Sequence, residues 1–242
     1  MKPSELIQVI RQYCIKNANP DLLKKYQYYF KEGYDGYGLT SPMLKQKVKK
    51  ILGPKTMDIN IVLDAMPQFL ASRKYEEITM GLLIMDGLHK QYNVETFRQI
   101  ETFFSQGIDN WAHADTLGMF MLPKFLIKDI VDISAFKPWL KSAHKFQRRC
   151  VPVTFIKLEK QTKNCTKYIS FCEKLMFDKE REVHQGMGWF LRECWKLQPA
   201  EVETFLEKHK ETAPRLIIQY ACEKMKPEEK LRYKRTKQPA SK

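Results

Sequence analysis

The feature that most constrains the fold of this chain is a buried helical segment that recurs just after a polar residue. The polar residues in question are Glu77, Asp115, Arg149, Gln185 and Arg215. The steps between them are 38, 34, 36 and 30 residues. Apolar residues in the segments that follow recur at helical spacing, and strand-like alternation is nearly absent. The sequence therefore predicts an all-α chain built from a repeated two-helix unit.

A two-helix unit of about forty residues is typical of HEAT-like solenoids. In such folds each unit packs only on its neighbours, and the second helices of the units line one concave surface. We therefore predict a HEAT-like or ARM-like α-α superhelical solenoid of about six helical pairs, with a basic concave face. A single domain is expected over residues 1–225, followed by a charged and flexible tail at 226–242.

Several segments give more local predictions. The run at 76–88 is apolar around most of its helical surface and is predicted to be buried, and 94–104 carries one apolar stripe. Thr40 and Ser41 precede Pro42, a pattern that is typical of a helix start. Pro67 is predicted to interrupt the helical pattern.

The charge of the chain points to a polyanionic partner. Lys and Arg total 42 against 28 Asp and Glu, which gives a formal net charge of +14. Basic side chains displace condensed counterions from nucleic acid, so duplex DNA is the partner that this excess favours. A basic surface without a specific partner is the alternative.

Other features exclude several classes of protein. The six cysteines are scattered without a C-x-x-C pair, so no metal site and no cofactor are predicted, and free thiols suggest a reducing compartment. The N-terminus lacks the apolar core of a signal peptide, and no apolar run reaches the ~20 residues that span a bilayer. We expect a cytoplasmic protein that does not associate with membranes and is a monomer.

The repeat spacing brings together a group of candidate functional residues. Trp111 and Asp115 stand four residues apart and share a helix face. Arg149 follows one repeat later and Trp189 one repeat further. If the repeats stack, one carboxylate, one guanidinium and two indoles converge on the concave face. Asp115 could instead be a helix cap, and the tryptophans could be core residues.

In five short segments, taken in order, the chain resembles the AlkD-like DNA alkylation repair glycosylases, which are HEAT-like solenoids. The similarity extends over about residues 5–220. The segments are YFKEGYDGYGLTSP (29–42), SRKYEEITMGLLIM (72–85), W-x-x-x-D (111–115), the Arg-Arg pair (148–149) and GWFLRE (188–193).

The resemblance implies hydrolysis of the N-glycosidic bond of cationic N3- and N7-alkylpurines in double-stranded DNA, without a cofactor. It implies that Asp115 is the catalytic carboxylate, that Trp111 and Trp189 flank the lesion nucleotide, and that Arg149 holds a backbone phosphate. Tyr29 falls where the family has an aromatic residue on its first repeats.

Two basic runs extend the predicted phosphate contacts. Lys45 and Lys49 follow the glycine-rich loop at 33–38, while Lys145 and Arg148 immediately precede Arg149. All four are predicted to contact DNA phosphates. A role in solubility alone remains the alternative for these residues.

One departure from the family pattern leaves a rival function open. The family reads roughly W-W-D-x-x-D, whereas here Asn110 replaces the first Trp and Ala112 replaces the first Asp. A non-catalytic HEAT-repeat protein that recognises branched or distorted DNA is therefore an alternative. A HEAT scaffold that binds acidic proteins or RNA is another.

Overall fold

The computed structural model of the protein describes residues 1–30, 33–53, 57–162 and 164–235, with the backbone alone at 160–162. Every regular element within these ranges is helical, and none of the described residues forms a strand. The predicted all-α class is thus confirmed. The chain forms two compact units, Met1–Asp132 and Ile133–Lys242, each of which is described by itself.

Within the described residues of the first unit there are eight α-helices. They are α1 (Pro3–Lys16), α2 (Pro20–Gln27), α3 (Ser41–Leu52), α4 (Ile59–Ser72), α5 (Tyr75–Gly87), α6 (Val94–Gln106), α7 (Trp111–Thr116) and α8 (Leu122–Ile127). A 3₁₀ turn at His89–Gln91 precedes α6, and a π-helical segment at Leu117–Met121 joins α7 to α8. Helix α4 packs against α1, α5 and α6, and α5 also packs against α3.

The second unit begins with 3₁₀ turns at Ile133–Phe136 and Trp139–Lys141. Its α-helices are α9 (Lys145–Thr162), α10 (Cys165–Cys172), α11 (Arg181–Trp195), α12 (Pro199–His209), α13 (Arg215–Ala221) and α14 (Pro227–Leu231), with a 3₁₀ turn at Glu173–Phe177 after α10. Helix α11 packs extensively against both α9 and α13, and it also contacts α10 and α12.

The repeat that the sequence predicts has a clear counterpart in the helices. Asp115, Arg149 and Gln185 are each the fifth residue of their helices α7, α9 and α11. Glu77 lies in the first turn of α5, and Arg215 begins α13. Three of the five polar residues therefore share one helix position, and the other two lie in the first turn of their helices, so each stays near a helix start as a two-helix repeat requires.

Of the local predictions, those for the helices at 76–88 and 94–104 largely agree with the structure, and the one at Pro67 does not. Helix α5 is buried around most of its surface, as the run at 76–88 predicts, and Phe97, Ile100 and Phe104 of α6 are buried, although Val94 is exposed. The predicted break at Pro67 is wrong because this proline lies inside α4. Pro67 has no N–H to donate to the carbonyl of residue 63, but the buried residues on both sides keep the helix continuous.

The predicted tail at 226–242 is helical in its first part. Helix α14 lies within it, Tyr233 is buried, and the Nη1 of Arg215 donates a hydrogen bond to the carbonyl oxygen of Tyr233 at 2.6 Å. Residues 236–242 of the predicted tail lie outside the described residues. Of the helices in the described ranges, none is long and apolar enough to span a lipid bilayer.

Two fully buried carboxylates at the start of α5 hold the first unit together. Glu76 accepts hydrogen bonds from the backbone N–H groups of Tyr37, Gly38 and Leu39 at 2.8, 2.8 and 3.0 Å. Glu77 accepts two hydrogen bonds from Arg11 of α1, at 3.0 and 2.9 Å. The loop before α3 and the first helix are thereby fastened to α5.

The contacts of Glu76 require the loop backbone to pass close to Asn19, and the ionised state of Glu77 is stabilised by its hydrogen-bond donors. Gly38 has φ +79°, and a Cβ at this position would collide with the carbonyl oxygen of Asn19, so the loop requires glycine here. Burial alone would raise the pKa of Glu77, but hydrogen bonds from Arg11 and Tyr37 outweigh it and hold that pKa below its ordinary value.

Replacement of Glu76 by alanine tests the role of this carboxylate. The change leaves three backbone N–H groups of the loop without their acceptor, so we expect the free energy of unfolding to fall by about 3 kcal/mol. Urea denaturation followed by circular dichroism measures the change. The matched variant Glu95→Ala, at an exposed position of α6, should stay within about 0.5 kcal/mol of the parent protein. Equal losses of unfolding free energy in the two variants would contradict the role of Glu76 as the acceptor that fixes the loop.

Candidate active site

The short helix α7 carries Trp111 at its first position and Asp115 one turn later. Asn110 caps the helix, and its Oδ1 accepts a hydrogen bond from the backbone N–H of His113 at 3.0 Å. Trp111 is 38% exposed and Asp115 is half-buried, so both side chains reach the surface of the first unit. Their spacing of four residues places them on the same side of α7.

A buried histidine, His113, holds α7 against α5 through hydrogen bonds. The Nδ1 of His113 accepts a hydrogen bond from the Asn110 side-chain amide at 2.8 Å, while its Nε2 lies 3.0 Å from the Thr79 hydroxyl and 3.2 Å from the carbonyl oxygen of Tyr75. This pattern fits a neutral ring that carries its proton on Nε2. Burial lowers the pKa of His113 to about 4. The buried, neutral histidine therefore serves as a structural contact.

Asn110 has a structural role in this arrangement. It caps α7 through its side-chain oxygen and donates to His113 through its amide. A tryptophan at this position could not cap the helix, because its side chain has no hydrogen-bond acceptor. The departure of Asn110 from the family pattern is thus accompanied by a polar pair with His113 that fixes the same helix.

Leu117–Met121, the segment that follows Asp115, is π-helical, and the N–H of Leu122 bonds to the carbonyl oxygen of Leu117. Pro123 lies just beyond it and cannot donate a hydrogen bond to the preceding turn. Single π turns of this kind are frequent at functional sites. Here the π turn begins two residues after the candidate catalytic carboxylate.

Trp111 belongs to a cluster of aromatic side chains. Its ring stacks on Phe30 with centroids 5.4 Å apart and an interplanar angle of 14°. Phe30 also contacts Tyr34 and Tyr75 at centroid distances of 4.9 and 5.5 Å, and Tyr75 stacks on His113 at 4.6 Å. We call Phe30, Tyr34, Tyr75 and Trp111 the aromatic cluster. It presents several π faces beside the α7 surface.

Two cavities of the first unit border the aromatic cluster. One, of about 450 Å³, is lined on one side by Asp35, Arg73 and Asp109. The other, of about 390 Å³, is lined by Lys45 and by Thr116, the neighbour of Asp115. Both cavities also have Phe30, Tyr34 and Tyr75 in their walls. The surface around α7 is therefore concave and largely aromatic.

Phe30 and the two buried carboxylates of α5 are residues that sequence reasoning missed. Tyr29 was the predicted aromatic residue, and it is 61% exposed. Its neighbour Phe30 is the residue that stacks on Trp111. The signal that could have found the carboxylates is the pair Glu76-Glu77 at the start of a helix predicted to be buried, since buried acids need partners.

The remaining candidates of the first unit are lysines of α3. Lys45 and Lys49 are exposed, lie four residues apart and share one helix face. Within the described part of the chain neither forms an ion pair. Both are free to contact a phosphate.

The other candidates, Arg148, Arg149, Lys145 and Trp189, belong to the second unit. Arg149 is buried in α9, and its Nη1 donates a hydrogen bond to the carbonyl oxygen of Glu182 at 2.7 Å. The Lys145 ammonium lies 3.1 Å from the Glu182 carboxylate. Trp189 is half-buried in α11. The convergence of these residues with Trp111 and Asp115 stays a prediction.

Arg148 has contacts that oppose a phosphate-binding role. Its Nε and Nη2 donate to the two carboxylate oxygens of Asp178 at 2.6 and 3.1 Å, and its Nη1 donates to the carbonyl oxygen of Ser142 at 2.6 Å. Side chains of both partners are largely buried. The guanidinium therefore ties the start of α9 to the loop before α11, and we assign it a structural role.

One group in the described residues has the composition of a metal site. Glu159, Cys165 and Cys194 are buried with their ligand atoms within 4.8 Å of one another, and the Cys194 thiol donates to Glu159. Burial raises the pKa of Cys194 far above its ordinary value. Structural zinc sites use four protein ligands. We interpret this group as a buried thiol–carboxylate hydrogen bond.

The fold and the site together define a class, that of a basic protein of paired helices with an aromatic, carboxylate-bearing surface. A family model described as "DNA alkylation repair enzyme" matches residues 10–225. The chain therefore belongs to the DNA alkylation repair enzyme family, whose substrate is DNA. A comparison with the curated proteins finds no significant match.

A solved structure shares the fold. It is that of a predicted DNA alkylation repair enzyme from Enterococcus faecalis, which is 15% identical to this chain. The alignment covers 87% of this chain and 97% of the other, with a TM-score of 0.72. At this identity the likeness establishes the helical fold.

The neutral state of His113 predicts a pH-dependent stability. Above about pH 6.5 the histidine is neutral in both the folded and the unfolded state, but below it only the unfolded state takes up a proton until about pH 4. Stability should therefore fall over this window by about 3 kcal/mol from His113 alone. The variant His113→Gln should lack this component. Parallel losses in both proteins, measured by denaturation across the window, would contradict the neutral assignment.

Arg148 and the α3 lysines should respond differently to removal of charge. Arg148→Gln leaves Asp178 buried without its partner, and we expect a loss of about 3 kcal/mol in unfolding free energy.

Lys45→Gln and Lys49→Gln should leave stability within about 0.5 kcal/mol but reduce the salt slope of DNA binding by about one each. Titrations at several salt concentrations measure the slope. An unchanged slope in the lysine variants would remove α3 from the DNA-binding surface.

Proposed function

We propose that this protein is a monofunctional DNA glycosylase that hydrolyses the N-glycosidic bond of cationic alkylated purines, such as 3-methyladenine and 7-methylguanine. The observation that carries the proposal is the half-buried Asp115 on a fixed helix, one turn after the partly exposed Trp111, in a family of alkylation repair enzymes. No cofactor enters the mechanism.

The chemistry suits a site that offers one well-placed carboxylate. An alkylated purine already carries a positive charge, so it leaves as a neutral base without protonation by a general acid. As the bond breaks, positive charge develops on the sugar, and the Asp115 carboxylate stabilises that charge. The same carboxylate orients the attacking water and accepts its proton. Water adds to the anomeric carbon, and the base departs with the bonding electron pair.

The aromatic cluster supports the recognition of a cationic substrate. The face of an indole ring attracts a positive charge through its quadrupole, and this attraction is strongest for Trp among the aromatic residues. Trp111 presents an exposed surface while its stack on Phe30 restricts its motion. In the mechanism Trp111 contacts the lesion nucleotide, with Trp189 as its proposed counterpart in the second unit.

The basic residues hold the DNA in this scheme. Lys45 and Lys49 bind backbone phosphates from α3. On α9 the proposed phosphate contacts are Arg149 and Lys145, both of which also bond to Glu182. The formal net charge of +14 supplies the long-range attraction. Phosphate contacts fix the register of the duplex and leave selection of the lesion to the charge of its base.

Base release from methylated DNA tests the proposal. Duplex DNA containing 7-methylguanine is incubated with excess protein, and the free base is measured by chromatography. Asp115→Asn preserves the shape of the side chain but removes its charge, so we expect release to fall at least about a hundredfold with DNA affinity retained. The matched variant Asp64→Asn, on the exposed surface of α4, should behave like the parent protein. Equal rates for the two variants would show that Asp115 is not the catalytic residue.

A second function is favoured by one observation, the loss of an acidic residue at Ala112. Without that carboxylate the protein could bind branched or bent DNA and leave the glycosidic bond intact. Such a protein would bind a four-way junction more tightly than a linear duplex at the same salt concentration, and it would release no base. The base-release assay and a junction-binding titration on the same preparation separate the two functions.

A further inference from the structure

The second unit contains a cavity that the proposed glycosylase site does not use. Its volume is about 700 Å³, within the range of ligand pockets. Two 3₁₀ turns and α10 provide its walls. No residue of α9, α11 or α13, the helices with the repeat-register residues of this unit, lines it.

Buried anchors fix both turns that form the walls. In the turn Trp139–Lys141 the indole of Trp139 is fully buried, which leaves Leu140 and Lys141 at the cavity. In the turn Glu173–Phe177 the buried side chains are Leu175 and Met176, while Glu173, Lys174 and Phe177 line the cavity. Because each turn is anchored from inside, the cavity is preformed.

The cavity combines an apolar wall with a positive rim. Pro138, Leu140, Phe171 and Phe177 supply the apolar surface, and Phe177 is 57% exposed although it is a large aromatic side chain. Its ring contacts His209 at a centroid distance of 5.6 Å, which holds it in place. An exposed aromatic residue in a preformed cavity is a common anchor point for a binding partner.

Three lysines supply the positive rim: Lys137, Lys141 and Lys174. Over the residues that the structure describes, none of the three forms an ion pair. The one acid of the wall, Glu173, accepts hydrogen bonds from Lys208 at 2.7 Å and from His209 at 2.9 Å. These two bonds lower the pKa of Glu173. The acid is already paired, so the rim keeps an uncompensated positive charge.

We propose that this cavity binds an acidic segment of a partner protein, in which an aromatic or aliphatic side chain enters between Leu140, Phe171 and Phe177. Carboxylates on either side of that anchor then meet Lys137, Lys141 and Lys174. A regular DNA duplex offers phosphates but keeps its bases stacked inside, so it has no apolar group for the cavity. Charge complementarity and the apolar wall together therefore favour a peptide.

A fluorescence anisotropy titration with defined probes tests the proposal. The probe is a short fluorescein-labelled peptide in which a Phe-Leu pair is flanked on both sides by Asp and Glu. A second peptide replaces the Phe-Leu pair by two serines, and a labelled single-stranded oligonucleotide represents nucleic acid. The protein variants are Phe177→Ala and the double variant Lys141→Gln/Lys174→Gln. The matched control is Lys167→Gln/Lys234→Gln, which removes two exposed lysines outside the cavity.

The proposal expects the Phe-Leu peptide to bind, with an affinity roughly tenfold weaker for each cavity variant and unchanged for the control. The serine peptide should bind more weakly than the Phe-Leu peptide. Absence of binding of the Phe-Leu peptide overturns the proposal. It is also overturned if the cavity variants and the control bind that peptide equally, because the contact is then general attraction to a basic surface. Oligonucleotide binding that only the cavity variants weaken would assign the cavity to nucleic acid instead.

Discussion

The adjacent carboxylates Glu76 and Glu77 at the start of α5 are the contacts on which the first unit depends. Glu76 takes backbone donors from the loop at 37–39, and Glu77 takes side-chain donors from Arg11 of α1 and from Tyr37 of the same loop. A buried carboxylate without such partners would be strongly destabilising. With them, residues 37–39 are fixed on α5, and the Tyr34 hydroxyl of the aromatic cluster also donates to Glu76.

The chain of contacts continues from α5 to the candidate site. Thr79 and the carbonyl oxygen of Tyr75 meet the ring of His113, and His113 meets Asn110 at the cap of α7. The position of Asp115 thus depends on a polar network that begins at the buried end of α5. Rigid support of this kind is what a site needs if one carboxylate is to stabilise charge that exists only in the transition state.

Sequence reasoning reached the helical class, the repeat and the register of Asp115, Arg149 and Gln185, because helical periodicity and step length are local properties of the chain. It did not reach contacts between residues far apart in sequence. The sequence around Arg148 shows no acidic partner for it, so it was predicted to bind phosphate. Its partner in the structure, Asp178, lies 30 residues away along the chain. Pro67 looked like a break because a proline lacks one hydrogen bond, whereas the burial of its neighbours decides the outcome. Phe30 was overlooked beside Tyr29, since only the folded chain shows which ring faces Trp111.

We propose that the N-glycosidic bond is hydrolysed because the positive charge of the alkylated base makes it a good leaving group and the Asp115 carboxylate stabilises the charge that develops on the sugar. The most direct measurement compares base release from matched duplexes that differ only in one nucleotide, 7-methylguanine in one and the uncharged lesion hypoxanthine in the other. We expect release of 7-methylguanine well above its spontaneous rate and no enzymatic release of hypoxanthine. Release of neither base, or of both at similar rates, would contradict it.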